Sequence, residues 1–466
     1  MRRLRLASTL LLTASLWAQS APLNVTLLSN VMGNHFVFAA VWGYTAPDGR
    51  EYAIVGAQTG TWILDCTNPS APVEITTIPG PASNWREMTS YQSTIYSGSE
   101  AHGGVRVIDM ANPAAPVDKG YIHAATWPNS HTLSMDPGTG RLYVNGTNSG
   151  QYVCDAAADP VNLPVLGVNT LAYAHDCYVR TGRAYIAELA NGRIRIANPS
   201  TFPFTTYSTT TTPGVFTHSA WATDDHKLLF TTDENATGYL QAYDVTNPSA
   251  PVALSSYVLP GYIVHNVYGI GRTVYLACYN DGFHMVDVGN AATTIKTLAY
   301  YDTSTISSTF TGAWGCYPWT DSGVVYVSDM QRGLFVLQID RGAMNRYGSG
   351  VPGPLGVPRA RFEGGSAMVD SPNFRLELSN LTPNAPYALV LSHAQANYPL
   401  LNVTLHVDPA HPAVVNGVAD AQGNASVPLP SPNDQNLTIG RVYAQILTAN
   451  GNQLAASRGM WFGIAQ

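Results

Sequence analysis

The chain has 466 residues, 45% of them apolar, and carries a formal net charge of −7. Length and apolar content exclude a disordered chain and allow more than one domain with a large core. Only 11% of residues are charged, against the ~25% usual for soluble domains. With no basic cluster beyond the N-terminus, nucleic acid is excluded as an expected partner.

In chain order, the first segment is a leader. Arg2, Arg3 and Arg5 precede an apolar run from Leu6 to Trp17, and Ala18-Gln19-Ser20 offers small residues before Ala21. Residues 1–20 therefore read as a secretory signal peptide cleaved near Ser20, which places the mature chain outside the cell or on its surface. No later apolar run reaches the ~18 residues of a membrane span, so no transmembrane segment is expected.

Residues 21–342 repeat. An apolar strand followed by Asn-Pro and a Pro-Val strand start recurs as TWILDCTNPSAPVEI from Thr61, VRVIDMANPAAPVDKGY from Val105 and LQAYDVTNPSAPVALSSY from Leu240, with weaker copies between and after. A second short strand reaches Tyr, with Gly seven to ten residues on, as in Tyr52 with Gly60 and Tyr326 with Gly333. Each unit opens on Trp or His: Trp42, Trp85, His131, His175, His218, His265 and Trp314, at spacings of about 43–49 residues. Four short strands per period make one propeller blade, and seven markers predict seven blades. The seventh unit ends at LFVLQIDRG without a final strand, whereas Leu23–Ser29 resembles one. The N-terminal strand is therefore expected to close the ring and cover its edge.

A Pro/Gly-rich stretch, residues 343–357, reads as a linker. Residues 358–466 lose the period but keep alternating strands such as FRLELSNL, YALVLSHA and RVYAQILTA, which predicts a small β-sandwich-like domain. The expected fold is thus all-β: a seven-bladed β-propeller followed by a small β-sandwich-like domain. Five cysteines without a CxxC pattern exclude a disulfide scaffold and a thiolate zinc site, and leave room for a single bridge.

The segments VWGYTAPDGREYAIVG, NWREMTSYQSTIYSGSEAHGGVRVIDM, AHDCYV, THSAWATDD, VHNVYGIG and FTGAWGCYPWTDSGVVYVSDMQRGLFVLQ together resemble the choice-of-anchor B family, secreted bacterial proteins built from LVIVD-type propeller repeats. That resemblance, over about residues 22–340, implies a fold and a location but no reaction. The tail, with YGSGVPGPLGVPR, FRLELSNLTPNAPYALVLS and VPLPSPND, resembles the C-terminal domains of many planctomycete secreted proteins. Val351 stands where that group often has Cys, so no disulfide is expected in the tail.

Candidate chemistry lies at the propeller axis. Four consecutive units place His131, His175, His218 and His265 at one repeat position, followed by Thr132, Asp176, Ser219 and Asn266. Four imidazoles at one level suit a divalent transition metal in the central channel. Loops expected on the same side carry His102 and the carboxylates Glu100, Glu188, Asp233, Glu234 and Asp329, the carboxylates suited to complete a metal shell or orient the histidines. Glu188 and Asp233 are the candidate bases of a metal-dependent hydrolase or lyase. The competing expectation is that the ring packs one blade on the next, since Trp at the same position cannot ligate metal. No GxSxG, HExxH or phosphate-binding loop is present. The Asp of Asp-x-Thr-Asn-Pro is expected to cap a turn. The expected function is a binding or scaffold module for an extracellular protein, glycan or cell-surface component, with a C-terminal sorting or attachment module; the metal-dependent enzyme is the alternative.

Overall fold

A computed structural model describes residues 20–306, 308 and 310–466, so the expected leader lies almost wholly outside the described residues. Among them the protein is all-β, with a single helical turn at Gln435–Thr438. Among the described residues no helix is long and apolar enough to cross a membrane.

Seven four-stranded antiparallel sheets occupy the first three quarters of the described chain. The first comprises Phe38–Thr45, Glu51–Ala57, Gly60–Asp65 and Val73–Pro79. Its two middle strands are buried almost throughout, while the outermost is largely exposed. This burial explains why the middle strands read as continuous apolar runs and the outer ones as Thr- and Ser-rich segments. Between the third and fourth strands the repeated Asp caps the turn. Asp65, Asp109 and Asp244 each accept from the backbone N–H two residues on, at 2.9 Å. These are Asx turns, local side-chain bonds that end the strand.

The core lies between sheets. Phe38, Val55 and Trp62 of the first sheet pack with Tyr326, Leu334 and Val336 of the last, and other clusters join consecutive sheets in the same way. No sheet buries its faces without its neighbours, as in other repeat architectures. The last sheet runs in the order Val25–Val31, Gly333–Ile339, Val325–Asp329, Ala313–Tyr317. The N-terminal strand thus supplies the strand missing from the final repeat, with Val25 opposite Ile339 and Asn30 opposite Phe335. Thr26 adds a 2.7 Å bond to Asp340.

The C-terminal part forms a six-stranded, a three-stranded and a two-stranded sheet around its own core of Phe374, Leu376, Leu389, Ile446 and Phe462. Within the stretch expected to be a linker, Asn345–Tyr347 is a strand of the six-stranded sheet, paired with Gly459–Gly463. The same stretch continues into bridges at Val351 and Gly353. It is bonded structure rather than a free tether. Met368 and Ala465 join Met285, Leu298 and Phe335 in one apolar cluster. Ser366 N–H donates to Asp287 at 3.0 Å, and Arg458 donates to Asp321 at 2.9 Å. The tail therefore docks on the repeat region through apolar and ionic contacts. All five cysteines are free and buried, so the one bridge left open by the sequence does not form among them.

Candidate functional site

The four histidines lie at the starts of the innermost strands of four consecutive sheets, within two residues of the first strand residue. Their rings step around the axis at centroid separations of 4.2, 4.4 and 4.2 Å, and His265 continues to Trp314 at 4.9 Å. Each of three rings reaches the backbone of the next sheet: His175 Nδ1 to the carbonyl of His218 at 3.0 Å, His218 Nδ1 to that of His265 at 3.0 Å, and His265 Nδ1 to that of Trp314 at 2.6 Å. A carbonyl only accepts, so Nδ1 carries the proton and Nε2 presents its lone pair. His131 departs from the series; its Nδ1 bonds Glu100 Oε1 at 2.5 Å. That bond holds the Glu100 carboxyl below its ordinary range.

Burial keeps the imidazoles of His175, His218 and His265 uncharged. His175 and His218 fall well below the ordinary histidine value, and His265 falls to about 3, in each case first through loss of water. Glu234, immediately after the strand Leu228–Asp233, brings its carboxylate to 3.7 Å from His218 Nε2 and 3.9 Å from His265 Nε2. Its Oε1 accepts from the Tyr279 hydroxyl at 2.7 Å. Among the described residues two donor sets lie close enough to share an ion: His131, His175 and His218, and His218, Glu234 and His265.

The other carboxylates singled out in the sequence are committed elsewhere. Glu188 is fully buried between Arg193 and Arg195, each at 2.6 Å. Asp233 accepts from the Thr212 hydroxyl at 2.5 Å and from the N–H groups of Gly214 and Phe216. Asp329 accepts from Thr303 and from the N–H groups of Gln331 and Arg332. Burial and these bonds make all three anchors of the loops behind the channel, which corrects the expectation of a free base at Glu188 or Asp233. His102 packs on Tyr121 at 4.3 Å and bonds the Gly103 carbonyl, away from the histidine array; burial pushes it down to about 4.

Strand register revises which residues stand level with the histidines. In the repeats, the second-strand aromatic pairs with an inner-strand residue, and two positions before that residue lies the level below the histidines. Tyr185 opposite Tyr178 leads to Asp176, Phe230 opposite Trp221 to Ser219, and Tyr275 opposite Tyr268 to Asn266. The same count from Tyr96 opposite Thr89 leads to Glu87. The residue level with the histidines in the second sheet is therefore Arg86, not Trp85, whose surface is 42% exposed. Trp42 pairs with Ile54, opposite the second strand's centre, and so lies deeper along the channel than the histidines. Only Trp314 of the three tryptophan markers stands at their level.

Trp85 imitates the marker in the sequence and so hides Glu87; counting from Tyr96 finds it. Its carboxyl accepts from Trp314 Nε1 at 2.8 Å, and burial pushes it up to about 7. Asp176 lies on the same level, also pushed up by burial, and accepts from Thr132 and from the Cys177 N–H. Below these two acids is a cavity of about 310 Å³, walled by Trp42, Tyr178, Trp221, Tyr268 and Tyr317 and reaching Trp319. Trp319 packs against Trp221 at 5.0 Å, Tyr317 at 5.2 Å and Trp42 at 5.8 Å. The channel thus holds a histidine layer, an acidic layer and an aromatic chamber.

Comparison with known proteins agrees with this architecture. Residues 50–78 match the LVIVD repeat. A crystal structure of the RRP9 WD40 repeats is similar in fold, with a TM-score of 0.52 at 9% sequence identity, over 69% of this chain and 99% of that one. At that identity the likeness concerns the fold alone. A search of curated proteins returned no match. The repeat match and the structural likeness, with the four-stranded sheets, define a β-propeller repeat protein.

Proposed function

We propose that this chain is a secreted, seven-bladed propeller that works as a binding module, with the aromatic chamber in its channel as the ligand site. The chamber is the observation that carries this reading. Its volume of about 310 Å³ is at the lower end of small-molecule sites, and mostly apolar walls with a few convergent polar groups are typical of them. Two acids, Glu87 and Asp176, line it together with the aromatic side chains, a combination that favours a compact organic cation. A cation beside Glu87 would also repay the burial that now holds its carboxyl up at about 7.

The C-terminal sheets are read as a sandwich-like attachment or sorting module. Their contacts through Met368, Ala465 and Arg458 hold it against the propeller in a set orientation, which suits a part that presents the propeller at a surface.

Tryptophan fluorescence of the mature chain, titrated with tetramethylammonium, amino acids and short glycans, tests the chamber. A saturable change for a cation, weakened in Glu87→Gln and in Trp319→Ala, is expected. No response to any probe, or one unchanged in both variants, would overturn the assignment.

A further inference from the structure

The histidine layer is more than a packing contact. The Nδ1 protons of His218 and His265 are given to carbonyls of the following sheets, so both Nε2 lone pairs face the Glu234 carboxylate. At 3.7 and 3.9 Å these separations are too long for hydrogen bonds. Neither nitrogen has a proton to give across the gap. The two nitrogens approach different oxygens of the Glu234 carboxylate, so their lone pairs and the carboxylate border one small space that a cation would satisfy.

The spacing matches such an occupant. Two donors each ~2.1 Å from a tetrahedral ion stand about 3.4 Å apart, close to both observed separations, and all three donor atoms lie within 4.8 Å of one another. Support around the donors has the form usual for ligating histidine, with the second ring nitrogen bonded to a carbonyl. The Tyr279 hydroxyl steadies Glu234 at 2.7 Å, and the Tyr279 ring stacks on His265 at 4.3 Å.

We propose that His218, Glu234 and His265 bind one divalent transition-metal ion of the zinc, cobalt or nickel kind. This goes beyond the chamber and does not depend on it. His131, His175 and His218 form a rival set, but they offer no carboxylate, and Glu100 is turned to the far nitrogen of His131 rather than into the group. The two sets share His218, so one ion is expected, not two. Three protein donors leave a coordination position for water or a ligand.

The test uses the mature chain, stripped with chelator and then given Zn²⁺, Co²⁺ or Ni²⁺ singly. Metal is counted by mass spectrometry after gel filtration, with the Co²⁺ absorption spectrum and the melting temperature as further readouts. One ion per chain is expected, with a raised melting temperature and a tetrahedral Co²⁺ spectrum. Glu234→Gln keeps side-chain shape and an acceptor for Tyr279, so its metal-free melting stays near the parent's. Its affinity should fall by more than ~100-fold, beyond the effect of losing an outer-shell partner. His131→Gln should keep the ion. Absence of stoichiometric metal with no change in melting would overturn the proposal. So would an ion kept by Glu234→Gln and lost from His131→Gln, which would place it on the three histidines.

Discussion

His175 donates its Nδ1 proton to the carbonyl of His218, 3.0 Å away and in the next sheet. One side chain thereby ties two repeats together and sets its own tautomer. His218 and His265 repeat the arrangement on the following sheets. Long-range ¹H–¹⁵N spectra of the metal-free protein should show His175, His218 and His265 protonated at Nδ1 and bare at Nε2. Spectra with Nε2 protonated in all of them would contradict the bonding described.

Glu87 should make stability depend on pH. Its carboxyl is raised from 4.5 to about 7 in the folded protein, so between these values the folded state binds more protons than the unfolded one. Stability therefore falls as pH rises through this window. Glu87→Gln removes the titration while keeping an acceptor for Trp314. Urea unfolding at pH 4.5 and 8 should show the variant gaining up to about 3 kcal/mol on the parent at the higher pH. An equal difference at both pH values would place the titration elsewhere.

Glu188 should prove structural. It is buried beneath Arg193 and Arg195, and Arg195 itself is only 10% exposed. Removing the acid leaves a buried guanidinium without its partner, a change that costs about 3–5 kcal/mol. Chemical denaturation of Glu188→Ala should show a loss of that size, with metal content per folded chain unchanged. A variant as stable as the parent would mean that the ion pair is not maintained in solution.

Closure by the N-terminal strand should matter more than its length suggests. Val25–Val31 pairs along the outer edge of the last strand from Leu334 to Ile339, and an uncovered edge is a template for association. Deleting residues 21–31 should lower the melting temperature and promote self-association in light scattering. A monomeric variant with unchanged melting would show that the last sheet is stable with three strands.

Much of the fold was legible because a repeat repeats its physics. The Asp-x-Thr-Asn-Pro turns, the apolar middle strands and the strand missing after LFVLQIDRG each state a local requirement, and pairing Val25–Val31 with Gly333–Ile339 satisfies the last of these. The site was legible only in outline. His131, His175, His218 and His265 stood out by spacing, but Glu87 and Glu234 did not.

What the sequence by itself determined about this protein is its all-β character, its repeat and the grouping of four histidines, because strand periodicity and turn chemistry act over a few residues. Tertiary structure alone decided which carboxylates face the channel. Asp233 and Glu234 are neighbours in sequence, yet one is spent on the N–H groups of Gly214 and Phe216 and the other meets His218 and His265. Successive residues at the end of a strand point to opposite sides. Which of them meets the histidines, and that Glu87 opposite Gly98 faces Trp314 while Asp176 opposite Ala187 meets Thr132, are settled by packing between sheets far apart in sequence.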